Sequence, residues 1–333
     1  MRSLMIGTFS VPYYGLILLL SAVIAALWTY FRARKEKESW RGAGLFALLA
    51  LLLGFLCAWL GYGLVNLNWV MEHGAGAMLQ SLQSRLLPYG AVIGCVLAAL
   101  LAAKRCECSA FALLDAASAP LCLMTALTRL AEPLAGMGFG RNIYDWFDPW
   151  MEESMIAWED PSALFRFPFA MQDHYGEWNF NISILEALTA LVLLVICLCM
   201  EKRKAGGRFL LVVMGCAALQ IAWESMRQDA VMRWGFVRAN QLLSAVAVMA
   251  CAAACYAAMP KKKRSGGKLA LVLTGEVLCA GVAMAMEFAL EKKIDFLVFL
   301  RMDACYLIML AACAGMVLLA LPLWKKAFLP IKK

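Results

Sequence analysis

Charge is scarce in this chain: only 16% of its 333 residues are Asp, Glu, Lys or Arg, where a soluble domain carries about 25%. Apolar residues fill the gap at 63%, and mean hydropathy is +0.73. That balance excludes a soluble globular domain of ordinary composition. No internal repeat and no low-complexity tract emerges. A cleavable signal pattern is missing too, since the first apolar run, about 9–31, has no basic n-region and no small-residue cleavage site. The run is long enough to cross a bilayer core of ~30 Å and reads as a retained helix.

What charge there is sorts by sign. The net charge of +8 comes in short basic clusters between apolar runs: Arg32 to Arg41, Lys104-Arg105, Lys202 to Arg208, Lys261 to Lys268 and Lys325 to Lys333. These hold 20 of the 31 basic residues. Such clusters mark cytoplasmic loops, so the positive charge reports topology, and no nucleic-acid patch is present. Most of the 13 cysteines, among them Cys57, Cys95, Cys122, Cys197 and Cys216, fall in apolar runs as small hydrophobes. Cys106 and Cys108 flank Glu107 in a basic turn, without the further ligands that a metal site needs. No metal and no cofactor is expected.

Apolar runs predict nine spans, at about 9–31, 43–65, 88–103, 109–127, 181–200, 208–226, 239–258, 269–288 and 297–323, helical because backbone polar groups in lipid must be satisfied internally. The third is short and the fourth contains Asp115 and Pro120, which makes these two the weakest. Alternating the sides puts every basic cluster inside only with the N-terminus outside and the C-terminus cytoplasmic. The predicted fold is all-α, a polytopic integral membrane protein. Its expected domains are transmembrane helices 1–4 (1–128), an extracytoplasmic head (129–180), helices 5–7 (181–258), and an extra C-terminal hairpin with a basic tail (259–333).

The segment from Arg129 to Phe180 breaks the pattern. It has no lysine and nine acidic residues, including Asp145, Asp148, Glu152, Glu153, Glu159 and Asp160, against Arg129, Arg141 and Arg166. Trp146, Trp150, Trp158 and Trp178 suit a membrane–water interface. It reads as a partly helical head resting on the outer leaflet, or as a long folded loop with no chemistry of its own. The series Gly136, Gly138, Gly140 follows no strand, so it is no dinucleotide fingerprint; it offers a side-chain-poor backbone beside two arginines.

Ionisable residues at bilayer depth are costly unless paired or hydrated, and each is a functional candidate: Asp115, Arg129, Glu186, Glu224, Arg227, Glu276, Arg301 and Asp303. The bland alternative for any of them is a structural ion pair. Arg129, Glu132, Arg141 and Arg227 fall near outer helix ends, where guanidinium groups suit a phosphate headgroup. Tyr14 and Gln241 lie near outer ends of the first and seventh helices and are candidates for holding a headgroup; aromatic-belt anchoring explains the tyrosine equally well. His73 and His174 read as solvated loop residues. Glu276, Arg301 and Asp303 in the last two helices are expected to pair with one another rather than form a transport relay.

In order and spacing, these residues resemble the prolipoprotein diacylglyceryl transferase family from Tyr14 to about Tyr256. Tyr14-Gly15 is similar to its Tyr-Gly in the first helix. Pro88-Tyr89-Gly90-Ala91-Val92-Ile93-Gly94 with Lys104-Arg105 resembles its His-Gly-Gly-x-x-Gly helix and basic turn, and Leu114-Asp115 with Ala119-Pro120 resembles the opening of its next helix. Arg129 to Arg141 aligns without a gap to the family signature, keeping Arg129, Gly136, Gly140 and Arg141. Trp223 to Asp229 is similar to its Glu-x-x-Arg region, and Asn240-Gln241-Leu242-Leu243-Ser244 to its Gln-Leu-Leu-Ser. The departures are Tyr89 for His, Ala131-Glu132-Pro133 for Gly-Asn-Phe, Met137 for Glu, and Gln220 for an Arg four residues before Glu224. Of a further His-Pro-x-Gln-Leu-Tyr-Glu motif only Glu186 is kept.

The resemblance implies a seven-helix transferase-like body, with two helices added after it, in the bacterial cytoplasmic membrane. It implies transfer of a diacylglyceryl group from a phospholipid, phosphatidylglycerol, to the lipobox cysteine of a prolipoprotein, with glycerol 1-phosphate leaving. It places Arg129, Glu224, Tyr89 and Glu132 at catalytic positions. Tyr14, Gly136, Gly140, Arg141, Arg227 and Gln241 are implied to bind substrate. Arg129 would take the phosphate, with Glu224 steadying it; Glu132 would serve as base in place of the missing His, or pair with Arg129. The alternative is a degenerate member, a pseudoenzyme that binds phospholipid or a lipidated peptide without turnover.

Overall fold

The computed structural model describes residues 3–6, 9–36, 38–79, 86–143, 168–173, 175–201, 204–228, 233–234, 237–293, 297 and 299–329. Outside these lie Lys37, Asp145, Trp146, Asp148, Trp150, Glu152, Glu153, Trp158, Glu159, Asp160, Arg166, His174, Lys202, Arg203, Asp229, Lys332 and Lys333. Among the described residues nine helices are long and apolar enough to cross a membrane. The chain is a multi-pass, all-α membrane protein.

The helices are α1 (Tyr13–Lys35), α2 (Trp40–Val65), the short α3 (Leu67–His73) and α4 (Ala75–Leu79), α5 (Pro88–Cys106), α6 (Ala110–Ala131), α7 (Ile182–Cys199), α8 (Gly207–Met226), α9 (Ala239–Ala258), α10 (Gly266–Leu290) and α11 (Met302–Ala327). Local chemistry sets their ends. Ser39 caps α2, its side chain accepting from the Gly42 N–H at 3.0 Å. Pro88 opens α5 at the position where a missing N–H costs nothing. Arg32, Arg34 and Lys35 in the last turn of α1 complement its dipole. Two spans shift from their predicted places. Residues 9–12 form a strand, so α1 begins four residues later, after Pro12; the last helix likewise runs from Met302 rather than 297. Apolar strand residues such as Phe9 and Val11 are indistinguishable from helix residues by hydropathy alone.

The chain divides into two compact units, and the division passes through α7 and α8. One unit holds the described residues of 2–131, 190–212 and 328–333. Here α2 packs on α5 and α1 on α6. The α2–α5 contact is close because of Gly90 and Gly94: a methyl on either would come within 2.3 Å of the Cys57 or Leu53 carbonyl oxygen. This is small-xxx-small helix packing. The two weakest predicted spans, α5 and α6, both form, and Asp115 inside α6 has a structural partner. Its Oδ2 accepts from Gly206 N and its Oδ1 from Phe209 N, each at 2.9 Å, so it caps the start of α8 from a different helix. Asp115→Ala is expected to destabilise the chain by about 1–3 kcal/mol for each N–H left orphaned. Asp115→Asn should lose less, a ranking readable from melting curves in detergent. In the turn after α5, burial first, then Glu38 and Cys106, push the Cys108 thiol up, away from the reactive thiolate.

The other unit holds the described residues of 132–189 and 213–327. In it α10 packs on α11, and both touch α9. In its described part, the segment expected as a partly helical head opens on a 3₁₀ turn over Glu132–Ala135 and continues as strands, while residues 144–167 lie outside the described residues. Strands β3 (Phe139–Asn142), β4 (Ala170–Gln172) and β5 (Trp178–Asn181) form an antiparallel sheet in the order β3-β5-β4. The β4–β5 turn is an Asx turn: Asp173 Oδ1 accepts from Tyr175 N at 2.8 Å and Glu177 N at 3.0 Å. Strands of three and four residues are too short to declare themselves by alternation. Two further hairpins, β1 (Ser3–Ile6) with β2 (Phe9–Pro12) in the first unit and β6 (Arg233–Trp234) with β7 (Val237–Arg238) in this one, precede α1 and α9.

Candidate functional site

The last turn of α8 carries Glu224 and Ser225, Arg227 follows directly after the helix, and strand β3 closes against this end. Gly140 forms a β-bridge with Arg227, Gln228 N donates to Phe139 O at 2.9 Å, and Ile182 N donates to Gly138 O at 2.9 Å. Gly138 is the demanding glycine of the series. Its φ is +86°, and a Cβ there would sit 2.5 Å from Ser183 Oγ and 3.3 Å from Glu132 Oε2. Gly136 also has a positive φ but open space around it, while Gly140 is required by the closeness of Ile182 and Phe180.

Buried charge converges on this turn. Arg227, 8% exposed, pairs with Glu186 at 2.6 Å and with Glu132 at 3.0 Å. Gln220, one turn earlier, donates its amide to Glu186 Oε1 at 2.8 Å and to Glu224 Oε2 at 3.3 Å. Asn240 donates to the same Glu224 oxygen at 3.3 Å. Arg238 reaches the backbone carbonyls of Glu224 at 2.7 Å and Arg227 at 2.5 Å, and its Nε pairs with Glu287 at 3.2 Å. Gln241 donates to Ile221 O at 3.1 Å and Glu287 Oε2 at 3.2 Å. Each arginine thus meets at least one carboxylate, as burial of an ion demands. The arrangement can fix donors rigidly around an anion or a polar headgroup.

A family model for prolipoprotein diacylglyceryl transferase matches residues 2–257. The chain belongs to that family. A phosphatidylglycerol–prolipoprotein diacylglyceryl transferase of Listeria innocua serovar 6a is 24% identical to it over 248 residues, covering 74% of this chain and 85% of the relative. Helices α10 and α11 lie beyond the matched residues.

Within this transferase-family chain, the structure brings together Glu132, Gly138, Gly140, Glu186, Glu224 and Arg227, with Arg141 on β3 beside the Tyr306 phenol. Tyr14, Tyr89 and Arg129 belong to the other unit, each half-buried. Glu132 is ion-paired, with Arg227 as a partner, and Glu224 is held by Gln220 and Asn240. Both amide protons of Gln241 are committed to protein acceptors, which leaves its carbonyl oxygen for other work. His73 is exposed, stacked on Trp69 with ring centroids 4.7 Å apart.

The last two helices depart from expectation. Arg301 and Asp303 do pair, at 3.3 Å on an exposed turn, but Glu276 is not part of that pair. It is fully buried near Cys251, Cys255 and Cys279, and its oxygens have no hydrogen-bond partner among the described residues. It lies mid-helix, while Arg301 and Asp303 sit at the start of α11. The sequence reading also missed Arg238, Ser225, Glu287 and Tyr306 as members of the network. The available signal was Glu287 itself, an acid inside an apolar helix.

Proposed function

We propose that this chain transfers a diacylglyceryl group from phosphatidylglycerol to the lipobox cysteine of a prolipoprotein, in the bacterial cytoplasmic membrane. The observation that carries this reading is the family match over residues 2–257, whose Glu-x-x-Arg region forms the buried Glu224–Arg227 turn. In the reaction the cysteine sulfur forms a bond to the glyceryl carbon. The carbon–oxygen bond to phosphate breaks, and glycerol 1-phosphate leaves with the electron pair while the thiol proton passes to a base. The leaving phosphate needs positive charge and the sulfur needs to arrive as thiolate. Carried over from the family resemblance, Arg129 takes the phosphate and Tyr14 the glycerol. Glu132, Glu186 and Glu224 hold Arg227 and Gln220 in place. Gln241, its amide protons already used, acts as a support rather than as a headgroup donor.

The basic clusters favour the N-terminus outside and the C-terminus in the cytoplasm. The head on residues 129–180 then faces the side where prolipoproteins are modified.

A second reading has a specific observation behind it. Gln220 places a neutral amide between Glu186 and Glu224, where the family resemblance implies an arginine, and Arg227 is held by two carboxylates. A chain so neutralised would bind lipid or a lipidated peptide without turnover. Purified protein given phosphatidylglycerol and a lipobox peptide separates the two. Release of glycerol 1-phosphate that Arg129→Ala reduces by about 10²–10³ supports transfer; lipid binding with no release supports the second reading.

A further inference from the structure

The hairpin of α10 and α11 lies beyond residue 257, where the family match ends, yet each of its helices places one buried polar side chain at the end of α8. Glu287, 2% exposed, accepts from Arg238 Nε at 3.2 Å, from Gln241 Nε2 at 3.2 Å and from the Ser225 hydroxyl. Tyr306, also 2% exposed, donates to the Ser225 carbonyl at 3.4 Å. Around them Leu290 and Met302 pack with Ile182 and Met226.

Three donors from α8, α9 and the residue preceding α9 therefore converge on one carboxylate. One donor carries a full positive charge, and the N–H and O–H groups aimed at the centre present no acceptor to it. The other face of Arg238 grips the Glu224 and Arg227 carbonyls, where a cation complements the C-terminal end of a helix. Without an anion between its donors, Arg238 would be an unpaired buried charge, which a protein does not tolerate. We propose that Ser225, Arg238 and Gln241 form an oxyanion pocket whose resident ligand is the Glu287 carboxylate. Through Arg238, Glu287 is a positioning residue that fixes the backbone from which Arg227 reaches Glu132 and Glu186. The added hairpin is in this sense a built-in part of the site. Its bearing on lipid transfer rests on the proposed function; the pocket itself does not.

An ordinary structural contact and an oxyanion pocket respond differently to a small free carboxylate. Full-length Glu287→Ala in detergent is expected to melt below the parent, with sodium formate restoring at least half of the lost Tm. Sodium chloride at the same ionic strength should restore none. Glu287→Gln keeps the volume and turns an amide N–H toward the donors, so it should melt low and ignore formate. Glu287→Asp keeps the charge and should melt above Glu287→Gln even though it is shorter, an ordering that decides the matter if the alanine variant does not fold. Parent-like melting of Glu287→Ala, formate without effect on it, or Glu287→Gln more stable than Glu287→Asp each overturns the pocket. None of these readouts requires the chain to transfer lipid.

Discussion

Arg227→Ala is expected to destabilise the chain by about 3–5 kcal/mol, the usual cost of removing one member of a buried ion pair. The reason is the charge left behind. Glu186 and Glu132 are 4% exposed each and face the same guanidinium at 2.6 and 3.0 Å, so the variant buries two carboxylates without this counter-charge. The penalty comes mainly from carboxylates that lose this counter-charge and not from the worth of the pair. Arg227→Met combined with Glu132→Gln and Glu186→Gln should accordingly recover most of the loss. Arg227→Lys should not, because one ammonium cannot reproduce a planar fork that spans two carboxylates. Denaturation in detergent micelles measures all three. A single alanine variant that unfolds with the parent would show that Arg227 is not the hub of this network.

Gln220→Arg carries the second large effect, an expected gain of about 10²–10³ in transfer rate, the scale on which one charged donor stabilises a transition state. The present amide already donates to Glu186 at 2.8 Å and to Glu224 at 3.3 Å. A guanidinium at this position finds carboxylates already arranged to receive it, so the new charge enters at low cost. By offsetting one of the carboxylates around it, the added charge would favour departure of the phosphate. Steady-state turnover with phosphatidylglycerol and a lipobox peptide reads the change. A gain below a few-fold would mean that positive charge does not limit the reaction, and would move attention to the base, since Tyr89 stands where the family resemblance implies a His.

Much of the fold was legible because run length in a bilayer is set by thickness. Residues 239–258 were bounded to the residue, and Pro88 announced the start of α5. The strands of the head were not legible: three- and four-residue segments pair through contacts distant in sequence, as Phe139 does with Asn181. The site divides in the same way. Glu224 and Arg227 stood out as charges in an apolar run, and the structure places both in one turn. Their partners did not stand out, because nothing local links Arg238 to Glu287, 49 positions away. Glu276 shows the opposite error, since charges in neighbouring helices were expected to pair and this one sits at a different height from Arg301 and Asp303. Gly138 was passed over for Gly136 and Gly140 because its constraint comes from Ser183 and Glu132, which no spacing rule reveals.

The central claim is that this family member moves lipid from phospholipid to protein. The direct measurement is the mass of a prolipoprotein in a bacterium depleted of its own transferase and expressing this chain. The account predicts a product heavier by one diacylglyceryl group, lost with Arg129→Ala and with Arg227→Ala when the variants are present in the membrane. An unshifted prolipoprotein beside a well-expressed, membrane-inserted parent chain contradicts it.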